Sequence, residues 1–334
     1  MTCQGLFCSP LLRQNRKRRG ALSNLLPTES TALECAAADS ARVLETYPAH
    51  ETDLGRIRIR RILPVRQRRM IGPWCFLDRY GPLSFTNDKP MDVAPHPHIG
   101  LQTVSWLLSG EIIHHDSLGT EALLRPGQLG VMTAGRGITH TEETPVENTG
   151  HLNGVQLWVA LPDAHRHAPP AFGHHPTPPV LEEPGALIRV ILGDWQGHRS
   201  KGVAYSPMVG AEMTLHPATS TELPLRPDFE HALIILSGDA AFEGQPLQLD
   251  TLYYLGAHRS EMQLSTRAGA QVLVIGGAPF GETILMWWNF VARSQEEISA
   301  ARADWEQHVR FEDVRAYQGA RLRAPQLIGR PITR

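Results

Sequence analysis

The sequence predicts an all-β protein made of two similar β-barrel domains in tandem, with a short helix near the C-terminal end. Three observations predict this class. The 334 residues include 29 glycines and 26 prolines, which favour tight turns over a helical bundle. From Ala41 onward, short strand-like runs alternate with turn signals about every ten residues, a spacing typical of sandwiches and barrels. The third observation is an internal similarity between two stretches of the chain.

The two similar stretches begin at Ser105 and at Ala232. Each reads as an apolar strand, a Leu-Ser-Gly turn, a short strand, a second turn and a strand that ends at glycine. Two similar β-domains in tandem are the simplest explanation. The histidines around the first stretch do not repeat. Directly before the second stretch lie Glu230 and His231, near the matching place but without a His-x-His spacing.

The chain divides into four predicted segments. The first is a disordered basic extension, since residues 1–27 carry five basic and no acidic residues. The third is a linker rich in proline and histidine, because its prolines oppose regular strand pairing. In order, the segments are the extension (1–40), the N-terminal domain (41–165), the linker (166–180), and the C-terminal domain, ending in a helix and tail (181–334).

Local patterns predict one strand and the helix with particular clarity. The stretch RIRIRRIL, Arg56 to Leu63, alternates charged and apolar side chains with period two, which indicates a half-buried strand. Its arginines form either a solvated strand face or a basic docking stripe. Ser294 and Glu297 form a capping box, so we expect the helix to begin directly after Ser294.

Composition excludes several classes of partner. The net charge is −2, which gives no reason to expect direct contact with nucleic acid. The longest apolar run, Ile284 to Ala292, is too short to span a bilayer, so no membrane association is expected. Four cysteines do not form a disulfide framework and fit a reducing compartment. We therefore expect a cytoplasmic protein, acting as a monomer.

Two histidines one residue apart open an apolar run. In the stretch APHPHIGLQTVSWLLSG, His96 and His98 flank Pro97. On a strand, residues i and i+2 point to the same face, about 6.7 Å apart along the chain. Pro97 then points to the other face, and its missing N–H is tolerated at the beginning or edge of a sheet. The pair can therefore act together as ligands.

A second pair of this kind, His140 and Glu142, follows about forty residues later. Two neighbouring strands that each offer such a pair to a barrel interior would bring three imidazoles and one carboxylate together. These donors suit Fe(II), Mn, Ni, Cu or Zn, and the carboxylate disfavours Cu(I). The sequence therefore predicts a transition-metal site formed by His96, His98, His140 and Glu142.

Several stretches resemble the signature of the pirin family. They are PHPHIGLQTVSWLLSG, RPGQLGVMTAGRGITHTEE, LNGVQLWVALP and, upstream, GPWCFLDRYGP. The stretch GAPFGETILMWWNFVARSQEEISAAR resembles the C-terminal part of bacterial pirins, so the likeness runs from about Leu44 to Arg330. It implies two jelly-roll-like cupin domains, with one iron ion in the first domain and no metal in the second.

The resemblance also implies the ligand set. The iron ligands of the family fall on His96, His98, His140 and Glu142, with Fe(II) as the expected ion and other divalent transition metals as alternatives. Two positions depart from the pattern. Ile99 follows the second histidine, where pirins often have arginine, and Gln102 stands where the general cupin motif has a glutamate ligand. The carboxylate ligand is therefore assigned to Glu142.

The leading activity implied by the resemblance is that of a flavonol 2,4-dioxygenase of the quercetin 2,3-dioxygenase type. Its substrates would be a small aromatic flavonol and O2. Glu142 is then the catalytic residue, because it is the carboxylate placed to accept the proton of the flavonol 3-hydroxyl. His114, on the strand that follows the turn at Ser109 and Gly110, is a further candidate for lining the cavity.

A different class of function stays open at this point. Some pirins resemble transcription co-regulators or modulators of metabolic enzymes, for which the metal is structural or a sensor. The chain would then be a non-enzymatic, iron-dependent regulator that binds a protein partner. The contact surface would lie near the basic stretch RIRIRRILPVRQRR.

Overall fold

The computed structural model describes residues 31–33, 44–54, 57–86 and 88–327. The first half of the chain forms thirteen strands, here numbered in chain order. They are β1 (Thr31–Leu33), β2 (Glu45–Pro48), β3 (His50–Leu54), β4 (Ile57–Leu63), β5 (Trp74–Ser84), β6 (Asp92–His98), β7 (Leu101–Gly110), β8 (Ile112–Asp116), β9 (Glu121–Leu124), β10 (Leu129–Thr133), β11 (Ile138–Glu143), β12 (His151–Ala160) and β13 (Ala171–His175).

The second half adds thirteen further strands and the one helix of the described residues. They are β14 (Val180–Glu183), β15 (Ala186–Trp195), β16 (His198–Arg199), β17 (Met208–Leu215), β18 (Thr219–Pro224), β19 (Glu230–Gly238), β20 (Ala241–Phe242), β21 (Gln245–Pro246), β22 (Thr251–Gly256), β23 (Glu261–Thr266), β24 (Ala270–Gly277), β25 (Ile284–Trp287), β26 (Phe290–Ala292) and α1 (Gln295–Glu306). This helix has 12 residues, and no described helix has the length and apolar character needed to cross a membrane.

Each domain is a sandwich of a large and a small sheet, which confirms the predicted all-β class of two tandem jelly-roll-like cupin domains. The sheets are open and not closed barrels. In the N-terminal domain, the large sheet has the order β13-β10-β7-β12-β5-β4-β3 and the small sheet β6-β11-β8-β9. In the C-terminal domain, the orders are β14-β15-β17-β24-β19-β22-β2, with β16 beside β15, and β18-β23-β20-β21.

The two large sheets share one hydrophobic core. Apolar side chains of β5 and β7, such as Trp74 and Val104, belong to the same buried cluster as Ile191 and Ile275 of the C-terminal domain. Polar contacts support this packing, since the indole Nε1 of Trp74 donates to the carbonyl oxygens of Val209 and Gly276, both at 3.1 Å. The cluster combines hydrophobic side chains of both domains, so burial of this face holds them together.

Strand β4 confirms the alternation that its sequence predicts. Ile57 and Ile59 are buried, whereas Arg58 is exposed. Arg61 departs from the pattern because it is also buried, with Nε and Nη2 donating to the two carboxylate oxygens of Asp78 at 2.8 and 2.7 Å. Bidentate pairing of this kind satisfies both buried charges. Arg56, the first residue of the predicted strand, lies outside the described residues.

The predicted division at residues 166–180 needs a correction. Within this stretch β13 pairs with β10 over five residues, from Leu129 opposite His175 to Thr133 opposite Ala171. The prolines, such as Pro170 and Pro176, lie outside β13, so they do not interrupt its ladder. These residues therefore form the edge of the N-terminal sheet and not a linker.

Segments from both ends of the chain also cross the predicted boundaries. Strand β2 pairs with β22 of the C-terminal domain, although the sequence predicts its residues in the N-terminal domain. Strand β1 pairs with β25, so residues 31–33 of the predicted extension belong to a three-stranded sheet. The rest of residues 1–40 lies outside the described residues.

The C-terminal segment that contains β26 and α1 returns to the N-terminal domain. The N–H of Val291 donates to the carbonyl oxygen of Ile99 at 3.1 Å, and the N–H of Leu322 donates to that of Pro95 at 2.9 Å. The predicted cap is confirmed, because the hydroxyl of Ser294 accepts a hydrogen bond from the N–H of Glu297. This segment therefore lies against β6, the strand that carries two of the predicted ligands.

Candidate metal centre

Strands β6 and β11 place the four predicted ligands beside one another. The two strands are antiparallel neighbours, with His140 opposite His96 and Ile138 opposite His98. Strand β6 is the edge strand of the small sheet. An edge strand tolerates Pro97, which has no N–H to donate. The alternation of side chains along β6 then directs both of its histidines to one face.

The three histidines converge inside the N-terminal domain. Each offers a ring nitrogen, and these atoms all lie within 4.8 Å of one another. The Nε2 atoms of His98 and His140 are 3.1 Å apart. All three side chains are buried, with 3% exposure or less. The spacing of the predicted motif therefore produces one buried cluster of imidazoles.

Backbone carbonyl groups orient two of these rings. The Nδ1 of His96 lies 2.9 Å from the carbonyl oxygen of Ala94, and the Nδ1 of His98 lies 3.0 Å from that of Asn289. A carbonyl oxygen only accepts hydrogen bonds, so each Nδ1 carries the proton and donates it. In the neutral ring this leaves the lone pair of Nε2 directed toward the cluster.

The third ring, that of His140, is oriented through a chain of side chains. Its Nδ1 lies 3.4 Å from the Nδ1 of His114, whose Nε2 lies 3.2 Å from the Oδ2 of Asp116. A carboxylate accepts the proton of His114 Nε2, which leaves Nδ1 of His114 to accept from His140. The ring of His114 is further held by stacking on Phe172, with centroids 4.1 Å apart. His140 therefore also presents an unprotonated Nε2.

Burial keeps these imidazoles neutral. Desolvation lowers the pKa of His96 to about 4 and lowers the pKa values of His98 and His140 well below 6.5. It also lowers the pKa of His114, although hydrogen bonding to Asp116 acts in the opposite direction. Neutral imidazole is the form that binds metal ions, so the cluster needs no deprotonation at neutral pH.

The donor set fits a divalent transition metal. Two Nε2 lone pairs 3.1 Å apart with no proton between them repel each other unless a cation lies between the rings. The separation is that of neighbouring ligand atoms around an ion with metal–nitrogen bonds of about 2.1 Å. Hydrogen bonds from the opposite ring nitrogen to carbonyl or carboxylate oxygens are the usual support of metal-bound histidine.

Glu142 lies in the same cavity, but its carboxylate is not part of the group of ligand atoms within 4.8 Å. Its Oε1 lies 3.0 Å from the hydroxyl of Ser105, which lies 2.9 Å from the Oε1 of Gln156. Burial raises the pKa of Glu142 to about 7, and the bond to Ser105 opposes part of this rise. Near neutral pH this carboxyl group can therefore either hold or release a proton.

The cavity over the imidazoles has a volume of about 30 Å³ and mostly aromatic and apolar walls. Phe76 and Trp158 are stacked there with ring centroids 4.1 Å apart. The hydroxyl of Tyr80 is buried in this wall and has no hydrogen-bond partner among the described residues. Burial, with a smaller contribution from the charge of Glu142, raises the pKa of Tyr80 well above 10, so the hydroxyl stays protonated.

Only some of the candidate residues named from the sequence lie at the cluster of imidazoles. His114 lies beside the cluster, whereas His115 points away and contacts Glu121 and Glu143. Gln102 lies elsewhere on the large sheet, where its amide donates to the Thr133 hydroxyl at 3.0 Å. Sequence reasoning missed Tyr80, Ser105, Gln156, Phe172 and the carbonyl of Asn289. The alternation of the strand WCFLDRYG from Trp74 was a signal for Tyr80, because Phe76, Asp78 and Tyr80 share one face.

Two family models match the chain. Residues 56–159 match the model described as Pirin, and residues 210–312 match the Pirin C-terminal cupin domain. Among curated proteins, a Pseudomonas aeruginosa protein provisionally named quercetin 2,3-dioxygenase is 45% identical over 85% of this chain and 91% of its own length. A pirin-like protein from Caulobacter vibrioides is 37% identical over 78% of this chain and 92% of its own length.

Solved structures show the same likeness. A crystal structure of quercetin 2,3-dioxygenase from Acinetobacter baumannii superposes with a TM-score of 0.82 at 42% identity, covering 85% of this chain and 95% of that chain. The bacterial pirin YhhW from Escherichia coli, in complex with nickel(II), has a TM-score of 0.58 at 14% identity and covers 71% of this chain and 100% of its own. The second likeness concerns the fold alone.

Proposed function

This chain belongs to the pirin family, and we propose that it is a metal-dependent dioxygenase that cleaves flavonols such as quercetin. One observation carries the proposal: three buried imidazoles direct unprotonated Nε2 atoms to one point beside a buried carboxyl group with a pKa near 7. The relatives named for quercetin dioxygenase activity, at 45% and 42% identity, support the choice of substrate.

The metal would be held by His96, His98 and His140, with Glu142 as the fourth ligand. Among ions compatible with imidazole and carboxylate, we propose Fe(II), one ion per chain. When bound, it would supply Lewis acidity toward the flavonol oxygen and the redox capacity that activates O2. The C-terminal domain contains no comparable cluster of ligand atoms among its described residues.

Glu142 would accept the proton of the flavonol 3-hydroxyl. The neighbouring side chains suit this role because the one hydroxyl proton of Ser105 cannot serve Glu142 and Gln156 together. When Glu142 carries a proton, it donates to the oxygen of Ser105, and Ser105 donates to the Oε1 of Gln156. The proton on the carboxyl group then has an acceptor in a buried site, so this chain of groups stabilises the state that follows proton transfer.

The size of the cavity limits which molecules can enter it. Its volume of about 30 Å³ suits a molecule of the size of water or O2, and a flavonol requires the lining side chains to move apart. Leu54 lies at the end of β3, the edge strand of the large sheet, and is only half-buried. Because an edge strand has one neighbour instead of two, we propose that β3 moves to admit the substrate.

The proposal is tested with the full-length protein loaded with Fe(II). We expect loss of quercetin absorbance with consumption of one O2 per quercetin, and no turnover in metal-free protein. Protein that retains one tightly bound metal ion per chain but neither consumes O2 nor alters quercetin would contradict the enzymatic function. A His98→Ala variant serves as the matched negative control.

The alternative function, a regulator that docks through its basic stretch, would use a surface on which several of the arginines are already paired. Arg60 and Arg79 both pair with Asp250, and Arg61 is buried against Asp78. Arg68 is buried against Glu45 and lies over the ring of Tyr254. These guanidinium groups are used inside the fold. Arg58 and Arg66 of the same stretch are exposed, and Arg58 is paired with Glu51 and Asp53.

A further inference from the structure

A second cavity, of about 110 Å³, lies in the C-terminal domain and is separate from the metal centre. It is formed where the ends of β15 and β18 meet the beginning of β19. Its walls include the buried apolar side chains of Val209, Leu225 and Phe229. The sequence pointed to this place through His231, which stands near the position of the metal-binding histidines in the other domain but lacks their spacing.

Two side chains that line this cavity each carry a buried polar atom without a hydrogen-bond partner among the described residues. The indole Nε1 of Trp195 and the ring Nδ1 of His231 are both buried and make no hydrogen bond to any described residue. The side chains are 4% and 1% exposed, respectively. A buried polar group without a partner is unfavourable, and native proteins pair such groups with protein, water or ligand. Two of them at one cavity point to a bound molecule.

The residue before His231 on β19, in contrast, has hydrogen-bond partners. Glu230 points to the opposite side of β19, where it accepts hydrogen bonds from the N–H of Gly72 at 2.6 Å and from the hydroxyl of Tyr254 at 2.8 Å. The carboxylate therefore contributes to the contact between the domains. His231, one residue later, faces the interior of its own domain beside Phe229, with ring centroids 6.1 Å apart.

The charges at the mouth favour a neutral ligand. Arg226 is already paired with Asp228, with Nε donating to Oδ1 at 3.0 Å, and its guanidinium lies over the ring of Phe229 at 4.1 Å. Asp194 is a second carboxylate near the mouth and belongs to the lining itself, whereas Asp228 is held by Arg226. One guanidinium and two carboxylates do not attract an anion, and a cation would find apolar walls behind them.

A hydroxyl group matches both unpartnered atoms. The indole N–H of Trp195 can only donate, so it needs an acceptor. The Nδ1 of a neutral imidazole either accepts or donates, depending on the tautomer. A hydroxyl oxygen accepts and its proton donates, so the same chemical group satisfies either atom in either tautomer. A carboxylate can satisfy Trp195 but cannot donate to an unprotonated His231.

We propose that this cavity of the C-terminal domain binds a small neutral phenol, with its hydroxyl group at Trp195 and His231 and its ring against Phe229, Val209 and Leu225. The size fits, because an apolar cavity of about 150 Å³ holds benzene when fully enclosed, and this somewhat smaller cavity is open at its mouth. The site is independent of the proposed dioxygenase activity, since none of its residues lines the metal centre.

Phenol is the probe for a direct test. Calorimetric titration of the full-length protein should give one site with a Kd on the order of 1 mM or below, as expected for so small a ligand. Benzoate, which carries a charge, and toluene, which lacks the hydroxyl, should each bind roughly 10-fold more weakly. A crystal soaked with phenol should show the ring in this cavity.

Substitutions of the two polar residues test whether phenol binds in this cavity. Trp195→Phe removes the N–H but keeps an aromatic ring, and it should weaken phenol binding roughly 3- to 10-fold. His231→Leu should have a similar effect, whereas Tyr80→Phe, in the other cavity, should leave phenol binding unchanged. The proposal is overturned if toluene binds as tightly as phenol, or if Trp195→Phe and His231→Leu bind phenol like the unmodified protein.

Discussion

The Nδ1 atom of His98 lies 3.0 Å from the carbonyl oxygen of Asn289, a residue 191 positions further along the chain. A predicted ligand on β6 is thus oriented by the C-terminal segment that returns to the N-terminal domain. Phe290 anchors this segment, because it is fully buried and forms a bridge with Ile99. The position of one imidazole therefore depends on packing at the far end of the chain.

We expect Phe290→Ala to weaken metal binding. Loss of the buried ring should cost about 3–5 kcal/mol of stability and allow the Asn289 carbonyl to shift away from His98. Removal of such supporting contacts typically lowers metal affinity by about 10- to 100-fold. Phe242→Ala is the control, since Phe242 is equally buried in the C-terminal core. It should lose similar stability but keep its metal affinity, measured by competition with a chelator. Equal affinities in the two variants would contradict the role of the segment.

His98→Ala should abolish tight metal binding, because it removes one of three converging nitrogen ligands. His115→Ala offers a control of identical chemistry. His115 lies on the same small sheet but contacts Glu121 and Glu143 instead of the cluster. Elemental analysis should give one metal ion per chain in the unmodified protein and in His115→Ala, and none in His98→Ala. Two tightly held ions per chain in the unmodified protein would refute a single site in the N-terminal domain.

Glu142→Gln should retain the metal, with a lower affinity, and lose turnover. The amide keeps an oxygen ligand of similar shape but cannot accept the proton of the substrate. A missing general base reduces turnover by about 10²-fold or more. Glu143→Gln is the matched control, because Glu143 is the next residue of β11 and its carboxylate contacts Thr141 and His115 outside the cavity. Full quercetin cleavage by iron-loaded Glu142→Gln would mean that another group accepts the proton.

Tyr80→Phe should leave the fold as stable as before or stabilise it by about 1 kcal/mol. The hydroxyl of Tyr80 is buried without a partner among the described residues, so its removal takes away a desolvation penalty. Tyr254→Phe should do the reverse, because the hydroxyl of Tyr254 donates to Glu230 at 2.8 Å. Urea unfolding of both variants distinguishes these outcomes. A clear loss of stability in Tyr80→Phe would show that its hydroxyl is paired in solution.

Acid should destabilise the protein partly through His231. Burial lowers the pKa of His231 to about 4 in the folded chain, against about 6.5 when unfolded. The unfolded state then binds more protons below pH 6.5, so this contribution to stability is complete above pH 6.5 and is lost as the pH falls. Between pH 7.5 and 5 the loss should be about 2 kcal/mol, and His231→Leu should lack it. The same loss in both proteins, measured by urea unfolding, would contradict this prediction.

Local pattern was sufficient for the main features of the fold and of the candidate site. Turn spacing and the internal similarity predicted two tandem β-domains, and period-two alternation placed His96 with His98 on one face. The cap at Ser294 was equally readable. These features depend on residues close together in the chain, where backbone geometry alone decides which side chains share a face.

Tertiary structure decided what lies around those residues. The ladder between β13 and β10 brings Phe172 against His114, although the surrounding prolines suggested a linker. The Asn289 carbonyl reaches His98, and Tyr80 of β5 lines the cavity, with its hydroxyl buried and without a partner among the described residues. Strand register and packing between distant segments set these contacts, so a local sequence pattern does not predict them. The sequence thus determined which groups can bind a metal, and the packing of distant segments determined how they are oriented and what they face.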